Sequence, residues 1–382
     1  MLYSKNRRNR LEELSVVVGL LAGVIVFGIF GRSLADFRPE EAGLGEDTSV
    51  HRSNYDGLRV SGFIGAPTPV HATLRRVEDS GKRVALWMGA SQLHAINKIN
   101  AGDELAVFYA NQAAARRGAD LIHVQLSNPN ANLNEFLVGY LRLRKEGLLP
   151  DLLVLGLTYD DLREPGIRRA ILETAPEPLL TQEEIVSSAG LENIDAARAM
   201  AALRGKQSIQ VPDDIQGSPQ QRLEEELTRL MEEYFPAYRA RGKILAAAEV
   251  SMLQFFFSLR SDLTRTRVPP IPEDQKAWNL RALDTLLELA QRDGVAVLVY
   301  KAPHRPEEPV FYHDQTSYDR FFEVSESRFR SEGIHYVDLQ EIVPSVHWGF
   351  LRSGVPDVFH FRVDGHRLLG SHVDAAVMKA GF

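Results

Sequence analysis

The stretch "VALWMGASQLHAIN", Val84 to Asn97, decides the fold. Five apolar residues run into Gly89, and a Gly-Ala-Ser corner then ends the run. A strand apolar on both faces is what a parallel sheet covered by helices requires. The corner also leaves a hydroxyl, Ser91, at the strand's carboxyl end, where open α/β sheets form their sites.

Working outward, four further short runs have the same character: Leu121–Leu126, Leu152–Leu157, Val295–Tyr300 and Ile334–Leu339. Helical stretches separate them. "AGDELAVFYANQAAARRG" carries acids at its start and arginines at its end, and "NLNEFLVGYLRLRKEG" closes on a basic turn and Gly147, as helix dipoles and C-caps favour. The pattern predicts a three-layer α/β sandwich built on a parallel sheet over residues 84–382. A mostly helical insertion, about residues 163–272, is expected between the third and fourth strands. Pro236 should kink it, and the apolar "MLQFFFSL" (Met252–Leu259) should pack on something. Residues 35–83, rich in Pro, Gly, Asp and Glu, read as a tether and lead-in.

The 382 residues carry a formal net charge of -7 and no cysteine. No basic field exists to neutralise a phosphate backbone, so nucleic-acid binding is disfavoured. Disulfides, thiolate zinc sites and a Cys nucleophile are excluded. No H-E-x-x-H, Walker-type or G-x-G-x-x-G motif occurs, so neither a metal nor a nucleotide cofactor is expected.

The N-terminus sets the expected compartment. Basic residues 1–13 ("KNRRNR", Lys5–Arg10) precede "LSVVVGLLAGVIVFGIFG", Leu14–Gly31, which holds no charge. At about 1.5 Å per residue that run spans roughly 27 Å, close to a bilayer's hydrocarbon thickness. A cleaved signal peptide is the competing reading, but the run is long for one and Arg32 spoils the cleavage site. Residues 14–34 are therefore expected to anchor the chain in the lipid bilayer, with the N-terminus cytoplasmic and the main domain extracytoplasmic (periplasmic in a Gram-negative bacterium). Gly19 and Gly23 form a GxxxG pair suited to an integral-membrane partner protein.

A serine becomes a nucleophile only when an imidazole takes its proton and an acid orients that imidazole. The far end of the chain supplies such a pair in "GVPDVFHFRVDGHRLLG". Asp357 and His360 stand three apart, a spacing that lets one turn present both, just before a final helix beginning near Asp364.

On these residues the chain resembles the SGNH (GDSL-like) hydrolases, in particular the membrane-anchored extracytoplasmic branch that includes partners of membrane-bound O-acyltransferases. "MGAS" (Met88–Ser91) matches the nucleophile block and "PDVFH" (Pro356–His360) the terminal D-x-x-H block, followed by Gly365 and the last helix. "VLVYKAPHRP" looks like that branch's fourth strand and Pro-containing loop. The resemblance implies a flavodoxin-like parallel sheet and ester hydrolysis or acyl transfer through an acyl-serine, with Ser91 as nucleophile, His360 as general base and Asp357 as its orienter.

Two blocks depart from the family pattern. Its oxyanion-binding glycine and asparagine are replaced within "LSNPNANLNEF" and "LGLTYDDLRE". Asn130 or Asn132 would then supply the missing amide, although the same cluster suits a turn and N-cap. Asp160 and Asp161 equally suit a helix cap or pairing with Arg163, Arg168 or Arg169. His94 fits a buried, hydrogen-bonded histidine or the rim of the pocket. Two functions follow: a membrane-anchored serine esterase or O-acyltransferase acting on a glycan, polymer or lipid-linked substrate, or a catalytically silent accessory subunit of a membrane complex.

Overall fold

Along β5 (Arg83–Gly89) side chains alternate between two cores. Val84, Leu86 and Met88 enter one hydrophobic layer; Ala85 and Trp87 enter the other. That two-sided burial is the physical content of the opening run. The computed structural model describes residues 48–163, 166–175, 192–194, 197, 271–306, 315–350 and 356–382. All lie in one unit, Leu44–Ser208 with Arg265–Phe382. The basic N-terminus, the 14–34 segment, residues 35–47 and most of the expected insertion, with Pro236 and Met252–Leu259, lie outside the described residues.

The main sheet has six strands, all parallel: β4 (Ser61–Phe63), β7 (Leu121–Ser127), β5, β8 (Leu152–Leu157), β9 (Ala296–Lys301) and β10 (His335–Asp338), in that spatial order. From β5 the chain steps to β7 on one side and then to β8 on the other. This reversal is the switch point of a doubly wound sheet. One face carries α1 (Thr68–Asp79), α3 (Leu133–Glu146), α4 (Glu273–Arg292) and α5 (Gln315–Ser331); the other carries α2 (Ala106–Arg116) and α6 (Val363–Lys379). Fully burying each Val, Leu or Phe of these layers contributes about 1.5–3 kcal/mol.

Two sequence expectations change. Residues 48–83 are no simple tether. β4 pairs with β7 at the sheet edge, α1 packs Val70, Leu74 and Val77 into the core, and β1 (Thr48–Val50) pairs antiparallel with β6 (Ala95–Asn97). A short hairpin, β2 (Asn54–Tyr55) with β3 (Leu58–Arg59), lies between them. Helix α2 starts at Ala106, so Asp103 and Glu104 precede its first turn. Glu104 instead accepts hydrogen bonds from the Ser53 hydroxyl at 2.5 Å and the His51 ring at 3.1 Å.

A second hairpin pairs β11 (Trp348–Phe350) with β12 (Pro356–Phe361). It contacts β6 and the turn after β5, bringing the end of the chain to the sheet's carboxyl edge.

Candidate active site

Ser91 opens a single 3-10 turn, Ser91–Leu93, directly beyond β5. Leu93 packs over Gly89 so closely that a Cβ there would stand 2.8 Å from Leu93 Cδ1. The first N–H groups of such a turn have no acceptor within it, so the Ser91 amide is available beside its own hydroxyl. Gln92 braces the turn, donating from Nε2 to Pro303 O at 3.0 Å and to Phe359 O at 3.3 Å. It thereby ties the Ser91–Leu93 turn to the loop after β9 and to β12.

The structure brings Ser91, His360 and Asp357 into one hydrogen-bonded line. His360 Nδ1 is 2.9 Å from Asp357 Oδ2, and His360 Nε2 is 3.0 Å from Ser91 Oγ. A carboxylate only accepts, so Nδ1–H donates to Asp357 and Nε2 keeps the lone pair that accepts the serine proton. All three residues are buried. Burial by itself would raise the Asp357 pKa. The hydrogen bond and charge of His360, with the N–H groups of Phe359 and His360, outweigh it and hold the carboxyl below its usual range.

The means of presentation differs from expectation. Asp357 and His360 sit within β12, where residues three apart in a regular strand face opposite sides. Pairing moves from Trp348↔Phe361 to Phe350↔Pro356, so two steps on β11 are matched by five on β12. The excess leaves the ladder as a bulge, and Asp357 Oδ1 accepts from Phe359 N at 2.9 Å and His360 N at 3.0 Å. This local side-chain-to-backbone turn swings both groups to one side.

The two asparagines are placed differently. Asn132 is the N-cap of α3: its Oδ1 accepts from Glu135 N at 3.1 Å, and its Nδ2 donates to Gly166 O at 2.8 Å. Its amide is thus committed to the fold. Asn130 is an exposed turn residue with φ of 48°, a conformation asparagine tolerates. Neither is joined to the Ser91 line by a hydrogen bond. Asp161 closes a capping box with Thr158, accepting from its N–H and its hydroxyl at 2.8 Å each. Asp160 pairs with Arg163 at 2.6 Å.

His94 is buried. Ser127 Oγ accepts from Gln125 Nε2 at 2.9 Å and shares a second hydrogen bond, also at 2.9 Å, with His94 Nδ1. His94 Nε2 is a buried atom without a hydrogen-bond partner. Burial, followed by the charge of His360, lowers the His94 pKa to about 3. The sequence reading missed Gln92, Ser127, Asn97 and Arg305. Arg305, buried beside the hairpin, donates from Nη1 to Gly349 O at 2.9 Å and to Asp357 O at 3.4 Å. A polar Asn closing the otherwise apolar "AIN" of β6 was the legible signal for Asn97.

Among the described residues no group of three or more His, Asp or Glu side chains is arranged to hold a metal ion. Among them, too, no helix is long and apolar enough to cross a membrane.

No family model and no curated protein matches the chain. Among solved structures, a putative acylhydrolase from Bacteroides fragilis NCTC 9343 aligns over 80% of this chain and 94% of its own, at 11% identity and a TM-score of 0.35. A GDSL-like lipase from Bacteroides thetaiotaomicron VPI-5482 aligns over 81% and 99%, at 12% identity and a TM-score of 0.34. Likenesses this weak carry no chemistry across, and the site stands on its own geometry.

Proposed function

We propose that the chain is a serine esterase or O-acyltransferase of the SGNH type. In this reading residues 14–34 anchor it in the membrane, and its α/β domain works outside the cytoplasm on a glycan, polymer or lipid-linked ester. One observation carries the chemistry: an imidazole bonded to a buried carboxylate through Nδ1 and to a serine hydroxyl through Nε2.

Ser91 Oγ attacks the acyl carbonyl as its proton passes to His360 Nε2, and Asp357 stabilises the resulting imidazolium. The tetrahedral oxyanion is met by the Ser91 N–H. Collapse breaks the bond to the leaving alcohol, which takes the proton from Nε2, and leaves acyl-Ser91. Water or an acceptor hydroxyl then attacks the acyl carbon as its proton passes to His360 Nε2; the acyl–Oγ bond breaks, and Ser91 Oγ leaves with that proton. Hydrolysis and transfer differ only in which hydroxyl reaches the acyl-enzyme.

The full chain in mild detergent should react covalently with a fluorophosphonate probe, and Ser91→Ala should abolish labelling. A wild type that stays unlabelled, or a Ser91→Ala variant that labels equally, rejects the enzymatic reading. The commitment of the Asn132 amide to Gly166 O favours a second reading, an accessory subunit of a membrane complex that no longer turns over. One missing oxyanion donor costs about 2.7–4 kcal/mol of barrier. Under that reading the Ser91→Ala chain still co-purifies with its integral-membrane partner, and changes at Gly19 and Gly23 release it.

A further inference from the structure

Asn97 ends β6, fully buried, and stands opposite Thr48 in the antiparallel β1–β6 pair. Its Oδ1 accepts from Phe350 N at 3.2 Å, which fixes the orientation of the amide. The two hydrogens of Nδ2 then serve three acceptors, Phe350 O at 3.2 Å, Thr48 Oγ1 at 3.0 Å and Asp357 Oδ2 at 3.3 Å, so one of them is shared. The Thr48 hydroxyl donates to the same Asp357 oxygen at 3.3 Å. The backbone of β11 closes so tightly on the amide that a Cβ at Gly349 would stand 2.1 Å from Asn97 Cγ. Only glycine permits that approach.

From this geometry we infer that Asn97 and Thr48 are positioning residues that aim the Asp357 carboxylate at His360. The inference rests on the triad chemistry proposed above. Asp357 Oδ1 is held by two backbone N–H groups of its own strand. Oδ2, the oxygen that receives His360 Nδ1–H, is held by side chains from β1 and β6. Strands at opposite ends of the sequence therefore meet on one oxygen. Both donors are neutral, so they steady the carboxylate while drawing off part of the negative charge it offers to an imidazolium. The other charged or titratable groups facing this pair are His94 and His366, whose charged forms are disfavoured first by burial and then by the charge of His360, and Arg305, which donates to Asp357 O.

Thr48→Val keeps the shape of β1 and deletes one donor. Asn97→Ala deletes the other, together with the Phe350 contacts. With fewer donors the carboxylate favours the imidazolium more strongly. Each variant should move the acid limb of the fluorophosphonate labelling profile to higher pH by at least about half a unit, roughly threefold in proton affinity, and lower the maximal rate. NMR titration of the His360 ring in the full chain reads the same shift without turnover. If Thr48→Val folds and both its labelling limb and its ring titration stay at the wild-type midpoint, the inference is overturned, whatever thermal stability is lost. A wild type that does not label, combined with a ring titration that moves in Thr48→Val, rejects the enzymatic reading and keeps the brace.

Discussion

A hydroxyl, an imidazole and a carboxylate become a relay only when each has a single role open to it. Hydrogen-bond inventory assigns those roles here: the Asp357 oxygens can only accept, so the proton of His360 sits on Nδ1 and its lone pair faces Ser91. Asn132 shows the same bookkeeping working against a catalytic role. Its two polar ends serve Glu135 N and Gly166 O. Replacing it with Ala should remove the α3 cap at about 1 kcal/mol, seen as a lower Tm, while the probe-labelling rate stays within about twofold of wild type. A large rate loss without loss of stability would restore it as an oxyanion donor. The residue types of the triad were legible in the sequence, and so was the capping alternative for Asn132. The contacts of Asn97 and Gln92 were not, because no local motif marks them and their partners lie in other elements, from 49 to more than 200 positions away.

At the scale of elements, β12 and α6 deliver His360. The bulge in β12 turns Asp357 and His360 to one side, and α6 begins at Val363, immediately after the strand. Helix α6 lies unusually close to α2: a Cβ at Gly370 would stand 2.3 Å from Ala106 O and 2.9 Å from Ala110 N. Both clashes are with backbone, so neither can be relieved by turning a side chain. Gly370→Ala should push the helices apart at a cost of about 1–3 kcal/mol. It should depress the Tm and, through β12, the labelling rate together; an unchanged melting curve would show that the packing yields freely. The sequence pattern anticipated α6 but took the Asp357–His360 spacing for a turn. A bulge depends on the partner strand's register, which the sequence of β12 alone does not contain.

Over the whole molecule, buried titratable groups set how stability varies with pH. Burial lowers the pKa of His94 to about 3 and, with a smaller opposing effect of the Ala95 carbonyl, that of His366 to about 4. It lowers His123 as well, against the pull of Asp374. Unfolded, these rings protonate below about 6.5. The unfolded chain therefore binds more protons as the pH falls through that range, and stability is lost from pH 6.5 toward 4. Asp161 acts with the opposite sign. Burial raises its pKa from 3.8 to about 8, against the Thr158 hydrogen bonds, so its contribution is complete in acid and disappears as the pH rises toward 8. The histidines outnumber it below pH 6.5 and it acts alone among these groups above, so stability should peak near pH 6.5. Chemical denaturation of the full chain across pH 4–8 measures this. Asp161→Asn, which keeps neutral partners for Thr158, should flatten the decline from 6.5 to 8; a decline identical to wild type would reject the assignment.

Residue order by itself determined the layered α/β class, five of the six sheet strands and the chemical identity of Ser91, Asp357 and His360. Alternation, apolar runs and residue type are local properties, written within a few positions of each other. Tertiary structure alone decided that residues 48–63 add an edge strand and the short β1 strand. It also decided that a bulge presents the carboxylate and the imidazole, and that Asn97 and Thr48 close around Asp357. Each of those contacts joins segments remote in sequence, and their geometry exists only once the sheet has twisted and the helices have packed on both its faces.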